Sequence, residues 1–316
     1  MLKSAQRMRR AANAVAYSPS PPHACALRPT VMPAQPTVAH ARPDAHGARL
    51  LAEYDDTMRR NAHVAGAHVD VLPHLSRCTA SSGSQRLILW HRFAAVDAAR
   101  HVDTELRAVS GHADVLMWKL YAHDAAHDAL RAALLARGFA ENDPSTLMVA
   151  TVEDVLAALP SERAGELEAR PLTRPDEIDA YQAIWDDVWP HAANARYVSD
   201  YRHLVERRAP GVAFFAGYAA SGEAVTSGYL FHHAGDAFAL LCGGATKVAW
   251  QRRHAYTLML AVRARAAAAR GALHLAVEAS AESRPILARA GFRALSSLMF
   301  YEKAISAAPD RAATSP

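Results

Sequence analysis

The chain has 316 residues, of which 51% are hydrophobic and 21% charged, as is typical of a globular protein of about two domains. Its net charge of +4 comes from the first 43 residues, which carry six basic and no acidic side chains and leave 29 basic and 31 acidic residues elsewhere. The near-neutral remainder argues against a nucleic-acid partner, and the lack of a long apolar run argues against a membrane partner.

The first segment, residues 1–45, holds seven of the 17 prolines and no periodic apolar pattern, which predicts a disordered tail. Its basic, acid-free start is similar to a targeting peptide, and an over-long start with Met32 as the true first residue is the alternative. Residues 305–316 are likewise predicted to be a disordered tail.

Residues 46–152 are predicted to form an N-terminal α/β domain, because helical and strand patterns alternate along them. The predicted elements are a helix at 48–62, a strand at 85–93, a helix at 94–111, a strand at 114–121, a helix at 125–138 and a strand at 145–152. The charged segment 153–168, which Pro160 interrupts, is predicted to be a linker.

Residues 169–304 are predicted to form a second domain with a mixed sheet. The predicted elements are strands at 169–173, 212–220, 224–233, 236–246, 272–279 and 292–303, and helices at 175–188, 197–208, 252–270 and 283–290. Turn signals at Gly222 and Gly235 predict that the strands between 212 and 246 form an antiparallel meander. The helix that follows is expected to connect the meander to a parallel strand at 272–279.

Two stretches of the chain resemble each other, "LLARGFAENDPSTLMV" (134–149) and "ILARAGFRALSSLMFY" (286–301). Both indicate a helix, a Gly-Phe pair and a strand that contains Leu-Met. The similarity is either chance in a chain rich in alanine, leucine and arginine, or a sign that the two domains have related folds.

Residues with metal or disulfide chemistry are sparse or irregularly spaced. The 17 histidines include no HExxH motif, so no metal site is predicted. The three cysteines, Cys25, Cys78 and Cys242, are odd in number and lack a CxxC spacing. This pattern argues against a disulfide framework and favours a reducing, cytoplasmic location.

The junction between a strand ending at Thr246 and a helix beginning near Arg252 is the main candidate binding site. The first amide groups of a helix lack partners within the helix and, together with the helix dipole, bind anions. Arg252 and Arg253 add positive charge, and Gln251 adds a donor. The alternative is an ordinary exposed helix start. The later arginines of this helix are predicted to point away from its apolar face: Arg263, Arg265 and Arg270.

The stretches "CGGATKVAWQRRHAY", "ALHLAVEAS" and "SRPILARAGF" resemble the GNAT superfamily of acetyl-CoA-dependent N-acetyltransferases, over about residues 168–304. In that family the pattern Q/R-x-x-G-x-G/A follows the fourth strand and holds the pyrophosphate of acetyl-CoA. "WKLYAHD" (118–124) and "LARGF" (135–139) resemble the N-terminal domain of two-domain members. The resemblance implies an α/β mixed sheet with a GNAT-like fold in the C-terminal domain, and a smaller, degenerate GNAT-like N-terminal domain.

The same resemblance implies that acetyl-CoA is the co-substrate. It places the cofactor against the end of strand 236–246 and the turn that follows. The residues carried over as cofactor-binding are Gly244, Ala245, Thr246, Gln251, Arg252, Arg253, His254, Ala255, Tyr256 and Ser280. That strand is expected to part from strand 272–279 and leave a slot for the thioester, beside a backbone N–H that stabilises an oxyanion.

Several residues depart from the family's pattern. His254 replaces a glycine, and its imidazole either crowds the phosphates or donates a hydrogen bond to them. Tyr256 replaces a small residue and Ser280 replaces an asparagine. Leu287 replaces the tyrosine that often protonates the leaving thiolate. Because a thiol with a pKa of about 8.5 leaves without an acid, this last change slows the reaction rather than preventing it.

Acetyl transfer requires a neutral amine, so an amine with a pKa of about 10.4 must first lose a proton to a base or a water chain. Glu278, at the end of strand 272–279, is the predicted base, and an ion pair with Arg284 is the alternative. Tyr301 is the predicted substitute for the missing acid. The polar-aromatic cluster at 118–124 is interpreted as structural, with a ligand or interdomain role as the alternative.

The hypothesis is therefore an N-acetyltransferase that moves acetyl directly from acetyl-CoA to a small-molecule or peptide amine, mainly through positioning. A homodimer is compatible with the sequence. One alternative is a catalytically impaired CoA-binding or regulatory module, which the changes at His254, Ser280 and Leu287 favour. Another is an interaction scaffold that binds no CoA.

Overall fold

The computed structural model describes residues 43–80, 85–109, 113–159, 163–164, 166–189 and 194–305. Apart from residues 43–45 and 305, the two predicted tails lie outside these ranges. The described residues form two compact units, a first unit of residues 59–142 and 298–305 and a second unit of residues 43–58 and 143–297. No helix in the described ranges is long and apolar enough to cross a bilayer.

The helices and strands are numbered here in chain order. The helices are α1 (Ala45–Tyr54), α2 (Ala98–Val109), α3 (His127–Ala136), α4 (Val152–Ala158), α5 (Asp179–Val188), α6 (Asn194–Glu206), α7 (Ala255–Ala268) and α8 (Arg284–Arg289). The strands are β1 (Ala67–Val71), β2 (Leu75–Ala80), β3 (Gln85–His91), β4 (Val115–Tyr121), β5 (Ala140–Glu141), β6 (Ser145–Thr151), β7 (Arg163–Ala164), β8 (Leu167–Pro171), β9 (Val212–Tyr218), β10 (Ala224–Phe231), β11 (Phe238–Thr246), β12 (His274–Ala279) and β13 (Arg293–Ala304).

The first unit is a mixed sheet built from an antiparallel meander, β1 to β3, and the strand β4, which runs parallel to β3. Helix α2 makes the crossover between β3 and β4, as the helix–strand alternation predicts. Buried side chains of α2, β4 and α3, among them Val102, Trp118 and Leu130, form its core. Strands β1 and β2 were not predicted, because half-exposed polar residues interrupt the apolar alternation of β1.

The second unit repeats this topology on a larger scale. Strands β8, β9, β10 and β11 are antiparallel neighbours, and α7 connects β11 to the parallel strand β12. The predicted meander and crossover are therefore confirmed. Helix α7 is buried on most of its surface, and Leu258, Met259 and Leu260 in its first turns are all fully buried. It packs in the core cluster of this unit.

Each unit contains one strand that was predicted to belong to the other domain. Strand β6 was predicted to end the N-terminal domain, but it pairs with β12 in the second unit, from His274–Thr151 to Ala279–Thr146. Residues 298–304 of β13 pair with β4 in the first unit. The compact units therefore do not follow the sequential boundaries expected at 152 and 169.

The segment predicted as a linker, 153–168, is largely structured. Thr151 caps α4 by accepting a hydrogen bond from the Asp154 amide at 3.1 Å. Val152 and Val155 lie at helical spacing and are buried in the second unit's core. This apolar stripe, rather than the charge of the exposed face, determines the structure of the segment.

The internal repeat has the same local structure in both copies. Helices α3 and α8 each end at a glycine with a left-handed backbone, Gly138 at φ 75° and Gly291 at φ 92°. The phenylalanine that follows, Phe139 or Phe292, is 3% exposed. Its amide donates to a carbonyl of the preceding helix, as in other helix ends that use a left-handed glycine. The repeat thus marks corresponding positions of two units with related topology.

A buried ion pair occupies the polar-aromatic cluster at 118–124. The Nη2 of Arg59 donates to Oδ2 of Asp124 at 2.8 Å, and the two side chains are 1% and 4% exposed. The Tyr121 amide donates to the same carboxylate oxygen at 2.8 Å. Trp118 is fully buried, and its indole N–H donates to Nδ1 of His91 at 3.4 Å. These internal bonds support the structural interpretation of the cluster.

Candidate functional site

A β-bulge distorts β11 next to the predicted junction. Ser227 pairs with Ala245 and Tyr229 with Cys242, so β11 has one more residue than β10 between these two pairs. Gly243 in the bulge has φ 58°, and a Cβ atom there would lie 2.4 Å from Cε1 of Tyr229. Glycine is required at this position by both its backbone conformation and the close approach of the tyrosine ring.

Strands β11 and β12 pair over only part of their length. Their parallel register runs from Phe238–His274 to Leu240–Ala276. Beyond that point β11 continues to Thr246 and β12 to Ala279, and no further pair between them is found in these fully described segments. The two strands thus separate toward their carboxyl ends, as expected for a slot between them.

The turn that leads into α7 has two residues in the left-handed region. Arg252 has φ 61° and His254, the N-cap of α7, has φ 64°. His254, which matches a glycine in the pattern of the family that the sequence resembles, therefore has a glycine-like backbone conformation. The His254 side chain is exposed and makes no capping bond to the helix. The first amides of α7 therefore receive no cap from this side chain.

A cavity of about 660 Å³ lies where these elements meet, and we name it the junction cavity. Its lining residues are Val188, Trp189, Gly244, Ala245, Thr246, Gln251, Arg252, His254, Ala255, Tyr256, Thr257, Ser280, Glu282, Ser283, Ile286 and Arg289. They come from the end of α5, the end of β11, the turn after it, the first turn of α7, the loop between β12 and α8, and α8 itself. A concave site that combines apolar walls, helix-start amides and two arginines suits an anionic ligand with an apolar part.

Nine of the ten residues predicted to bind the cofactor line the junction cavity. The exception is Arg253, whose guanidinium lies 5.3 Å from the ring centroid of Trp250. Sequence reasoning missed the contributions of α5 and α8, including Trp189, Ser283 and Arg289. The Ser280–Ser283 spacing before a helix was an available signal, because it is typical of a helix start. The role of the nine residues in binding stays a prediction.

The two predicted catalytic residues do not line the junction cavity. Glu278 on β12 is half-buried, and its Oε1 accepts a hydrogen bond from the Tyr54 hydroxyl at 3.4 Å. Tyr301 belongs to the first unit, where its hydroxyl donates to Oε1 of Glu141 at 2.8 Å. Burial, together with the bond to Glu141, raises the pKa of Tyr301 well above its usual value of 10. Both catalytic assignments stay predictions.

The prediction that Arg263 points to solvent is wrong. Arg263 is 2% exposed, and its guanidinium lies against the bulge, with Nη1 donating to the Cys242 carbonyl at 3.1 Å. Leu287 is fully buried, so α8 presents an apolar side chain to the core at the position where the family often has a tyrosine. The sequence signal for Arg263 was misleading because the helix is buried on nearly all sides.

The corresponding slot of the first unit is closed by aromatic rings. The parallel register of β3 and β4 ends at Ile88–Trp118. Phe93 and His101 stack there with ring centroids 4.4 Å apart, and Trp118 and His91 pack against Phe93 at 6.4 and 5.0 Å. This filling of the slot agrees with a degenerate N-terminal unit.

Replacing His254 by glycine is expected to raise the free energy of unfolding by about 0.5–1 kcal/mol, because glycine relieves the left-handed strain but also gains freedom in the unfolded chain. Urea unfolding measures the change. His254→Ala is the matched variant, since it keeps a Cβ and should leave the stability nearly unchanged. Equal stabilisation by both variants would show that the imidazole, not the backbone, is the source of the effect.

Comparison with known structures identifies the fold. A GCN5-related N-acetyltransferase from Kribbella flavida has a TM-score of 0.56 at 14% identity, covering 82% of this chain and 94% of its own. A conserved protein of unknown function from Staphylococcus epidermidis has a TM-score of 0.59 at 9% identity, covering 79% and 98%. A Drosophila protein has a TM-score of 0.53 at 15% identity, covering 83% and 88%.

No protein-family profile matches the chain, and no curated protein matches its sequence. The structural likenesses show that the chain has the fold of the GCN5-related N-acetyltransferases. The fold predicted from the residues around the junction is thereby confirmed.

Proposed function

We propose that this chain is an N-acetyltransferase that transfers acetyl from acetyl-CoA to an amine. One observation carries the proposal: the junction cavity is lined by the unpaired end of β11, by Ser280 just after β12 and by the uncapped first turn of α7. The fold shared with GCN5-related N-acetyltransferases supports it. The acceptor is proposed to be a small molecule or a peptide.

The residues present fit the parts of acetyl-CoA. The diphosphate would accept hydrogen bonds from the amides of the turn and the first turn of α7, with Arg252 adding charge. The pantetheine arm would lie along the backbone of Gly244 to Thr246, whose partner strand has moved away. Gly244 has no side chain, and its Cβ position faces the Tyr256 ring and the Arg263 guanidinium.

Transfer needs a neutral amine that attacks the thioester carbon, so that a C–N bond forms and the C–S bond breaks. The chain contributes mainly by holding the two reactants in one narrow slot, an effect of several kcal/mol in well-oriented reactions. Glu278 as the base stays part of the proposal, with water relaying the proton since its carboxylate does not line the junction cavity.

CoA is expected to bind with one-to-one stoichiometry and to raise the melting temperature, which calorimetry and thermal shift measure. Arg252→Ala should weaken CoA binding about tenfold, because it removes a charge that lines the junction cavity. Arg270→Ala is the matched control: Arg270 is an exposed arginine just beyond the far end of α7, and its loss should change affinity less than twofold.

Turnover is measured as free thiol released from acetyl-CoA in the presence of a panel of amines. Amine-dependent release supports the transferase. Tight CoA binding without release from any amine favours the CoA-binding or regulatory module instead. The absence of binding heat and of a thermal shift at millimolar CoA would overturn both the transferase and the CoA-binding module. The interaction scaffold that binds no CoA would then be the remaining hypothesis.

A further inference from the structure

Arg263 is a buried cation with no acidic partner among the residues that the structure describes. Of the two fully buried arginines in the described residues, Arg59 is paired with Asp124, whereas no carboxylate lies within 4.0 Å of Arg263. Its Nε donates to the Met259 carbonyl at 3.2 Å and its Nη1 to the Cys242 carbonyl at 3.1 Å. Burying a charge without a counter-charge is unfavourable, so a role for the charge is needed.

Two glycines create the space that the guanidinium occupies. A Cβ at Gly228 would lie 2.9 Å from Cζ of Arg263, and a Cβ at Gly244 would lie 3.4 Å from Nη2. Gly244 also lines the junction cavity, on the stretch of β11 that has no pairing to β12. The positive charge therefore lies directly behind the wall of the proposed thioester slot.

Tyr256 connects this charge to the cavity. Its side chain lines the junction cavity, and the pKa of its phenol is lowered by the charge of Arg263 and by hydrogen bonding with Ser283 and Arg263, against the larger effect of burial. The ring is close to β11, since Cε2 lies 3.1 Å from the Cβ position of Gly244. The Oγ of Ser283 lies 3.3 Å from the Oγ of Ser280, so a row of hydroxyl groups lines this part of the cavity. Burial raises the pKa of the Tyr256 phenol, which keeps it protonated and able to donate.

We infer that Tyr256, supported by Arg263, forms a hydrogen-bonding site for a thiolate in the junction cavity, and this inference rests on the proposed function. When the C–S bond breaks, its electron pair stays on sulfur, and the proton released by the amine passes through water to Glu278. The Tyr256 hydroxyl then donates a hydrogen bond to the sulfur anion without losing its own proton. Arg263 is a positioning residue, because its charge orients and polarises the phenol.

This arrangement offers a reason for the loss of the tyrosine at Leu287. A donor from the first turn of α7 takes the place of a donor from α8, whose side chain at that position is buried in the core. Other charged or titratable groups also line the junction cavity: Arg252, His254, Glu282 and Arg289. Since only Glu282 among them is acidic, the surroundings as a whole favour an anion.

The pKa of the CoA thiol bound to the protein tests the inference without an acceptor amine. The thiolate absorbs in the near ultraviolet, so a pH titration of the saturated complex gives the pKa, with the desulfo-CoA complex as the blank. In the wild-type protein the acid dissociation constant of the bound thiol should be at least tenfold larger than that of a free thiol. Its pKa should therefore be at least one unit below the free value of about 8.5.

Tyr256→Phe keeps the ring and removes the donor, and it should return the thiol pKa to that of free CoA. Tyr218→Phe, a half-buried tyrosine under Arg170 that does not line the junction cavity, is the control and should titrate like the wild type. A second variant, Arg263→Lys, keeps the charge but loses the fork-shaped contacts. In this variant the pKa of the bound thiol should lie between that of the wild-type complex and that of free CoA.

The outcomes separate the inference from the proposed function. CoA binding with a thiol pKa equal to that of free CoA overturns the inference alone. A lowered pKa that persists in Tyr256→Phe also overturns it, because another group then stabilises the anion. Failure of CoA to bind overturns the inference and the proposed function together. If Arg263→Lys does not fold by circular dichroism, the Tyr256→Phe titration decides.

Discussion

Gly243→Ala is expected to lower the free energy of unfolding by about 3 kcal/mol and to abolish measurable CoA binding. Gly243 has φ 58°, a conformation that costs about 1–2 kcal/mol for a residue with a Cβ. The added atom would also lie 2.4 Å from the ring of Tyr229, which is fully buried and has no room to move away. Relief of this clash requires β11 to shift at the bulge, which would close or distort the slot. Urea unfolding and calorimetry with CoA measure the two effects.

Gly222→Ala is the matched control for this prediction. Gly222 has a similar positive φ of 84°, but nothing lies within 4 Å of its Cβ position. The control should therefore show the backbone cost without the clash, and it should bind CoA normally. If both variants unfold at the same urea concentration, the close approach of Tyr229 is not a constraint on the bulge.

Much of the fold was predictable because the local signals are strong. The apolar periodicity of α3, the Gly-Phe pairs after α3 and α8, and the hairpin turns at Gly222 and Gly235 each depend on a few adjacent residues. The exchange of β6 and the end of β13 between the units was not predictable. Both strands are apolar, and the choice of a pairing partner is decided by contacts far apart in sequence.

The candidate site likewise has a part that could be predicted from the sequence and a part that could not. The wall formed by β11, the turn and α7 could be located because its residues are contiguous in sequence, from Gly244 to Tyr256. The burial of Arg263 depends on space left by Gly228 and Gly244, which lie on two other elements. A helix that is buried on nearly every side also gives no periodic contrast from which to place an arginine.

The two units show how one topology gives an open slot in one case and a closed slot in the other. In both, parallel pairing ends partway along the crossover strands, at Leu240–Ala276 and at Ile88–Trp118. In the second unit, the unpaired end of β11 from Gly244 to Thr246 lines the junction cavity. In the first unit, the rings around Phe93 fill it and contribute to the core instead. We therefore infer that the first unit contributes stability rather than a second site.

The stability of the first unit is expected to depend on the buried pair of Arg59 and Asp124. Asp124→Asn keeps the size of the side chain but removes the buried negative charge that pairs with Arg59, so we expect the free energy of unfolding to fall by about 3 kcal/mol at pH 7. Urea unfolding followed by tryptophan fluorescence measures this change, since Trp118 lies in the same core. Asp103→Asn is the matched control: it removes an exposed partner of Arg137 and should have a much smaller effect.

The pH dependence of the same variant gives an independent check. Burial alone would raise the pKa of Asp124, but the charge and hydrogen bond of Arg59 and the charges of His91 and His123 hold it below 3.8. Because the folded pKa is lowered, the stabilisation is present above pH 3.8 and is lost as the pH falls through the lower folded value. Burial also lowers the pKa of His91 below 6.5, and Asp124 partly offsets this, so protonation of the unfolded chain weakens both proteins below that pH and the variant at least as much as the wild type. The difference between the two proteins should therefore not decrease from pH 7 to about pH 4.5, and it should shrink below pH 3.8. A difference that disappears near pH 6 would mean that His91, not Asp124, carries the effect.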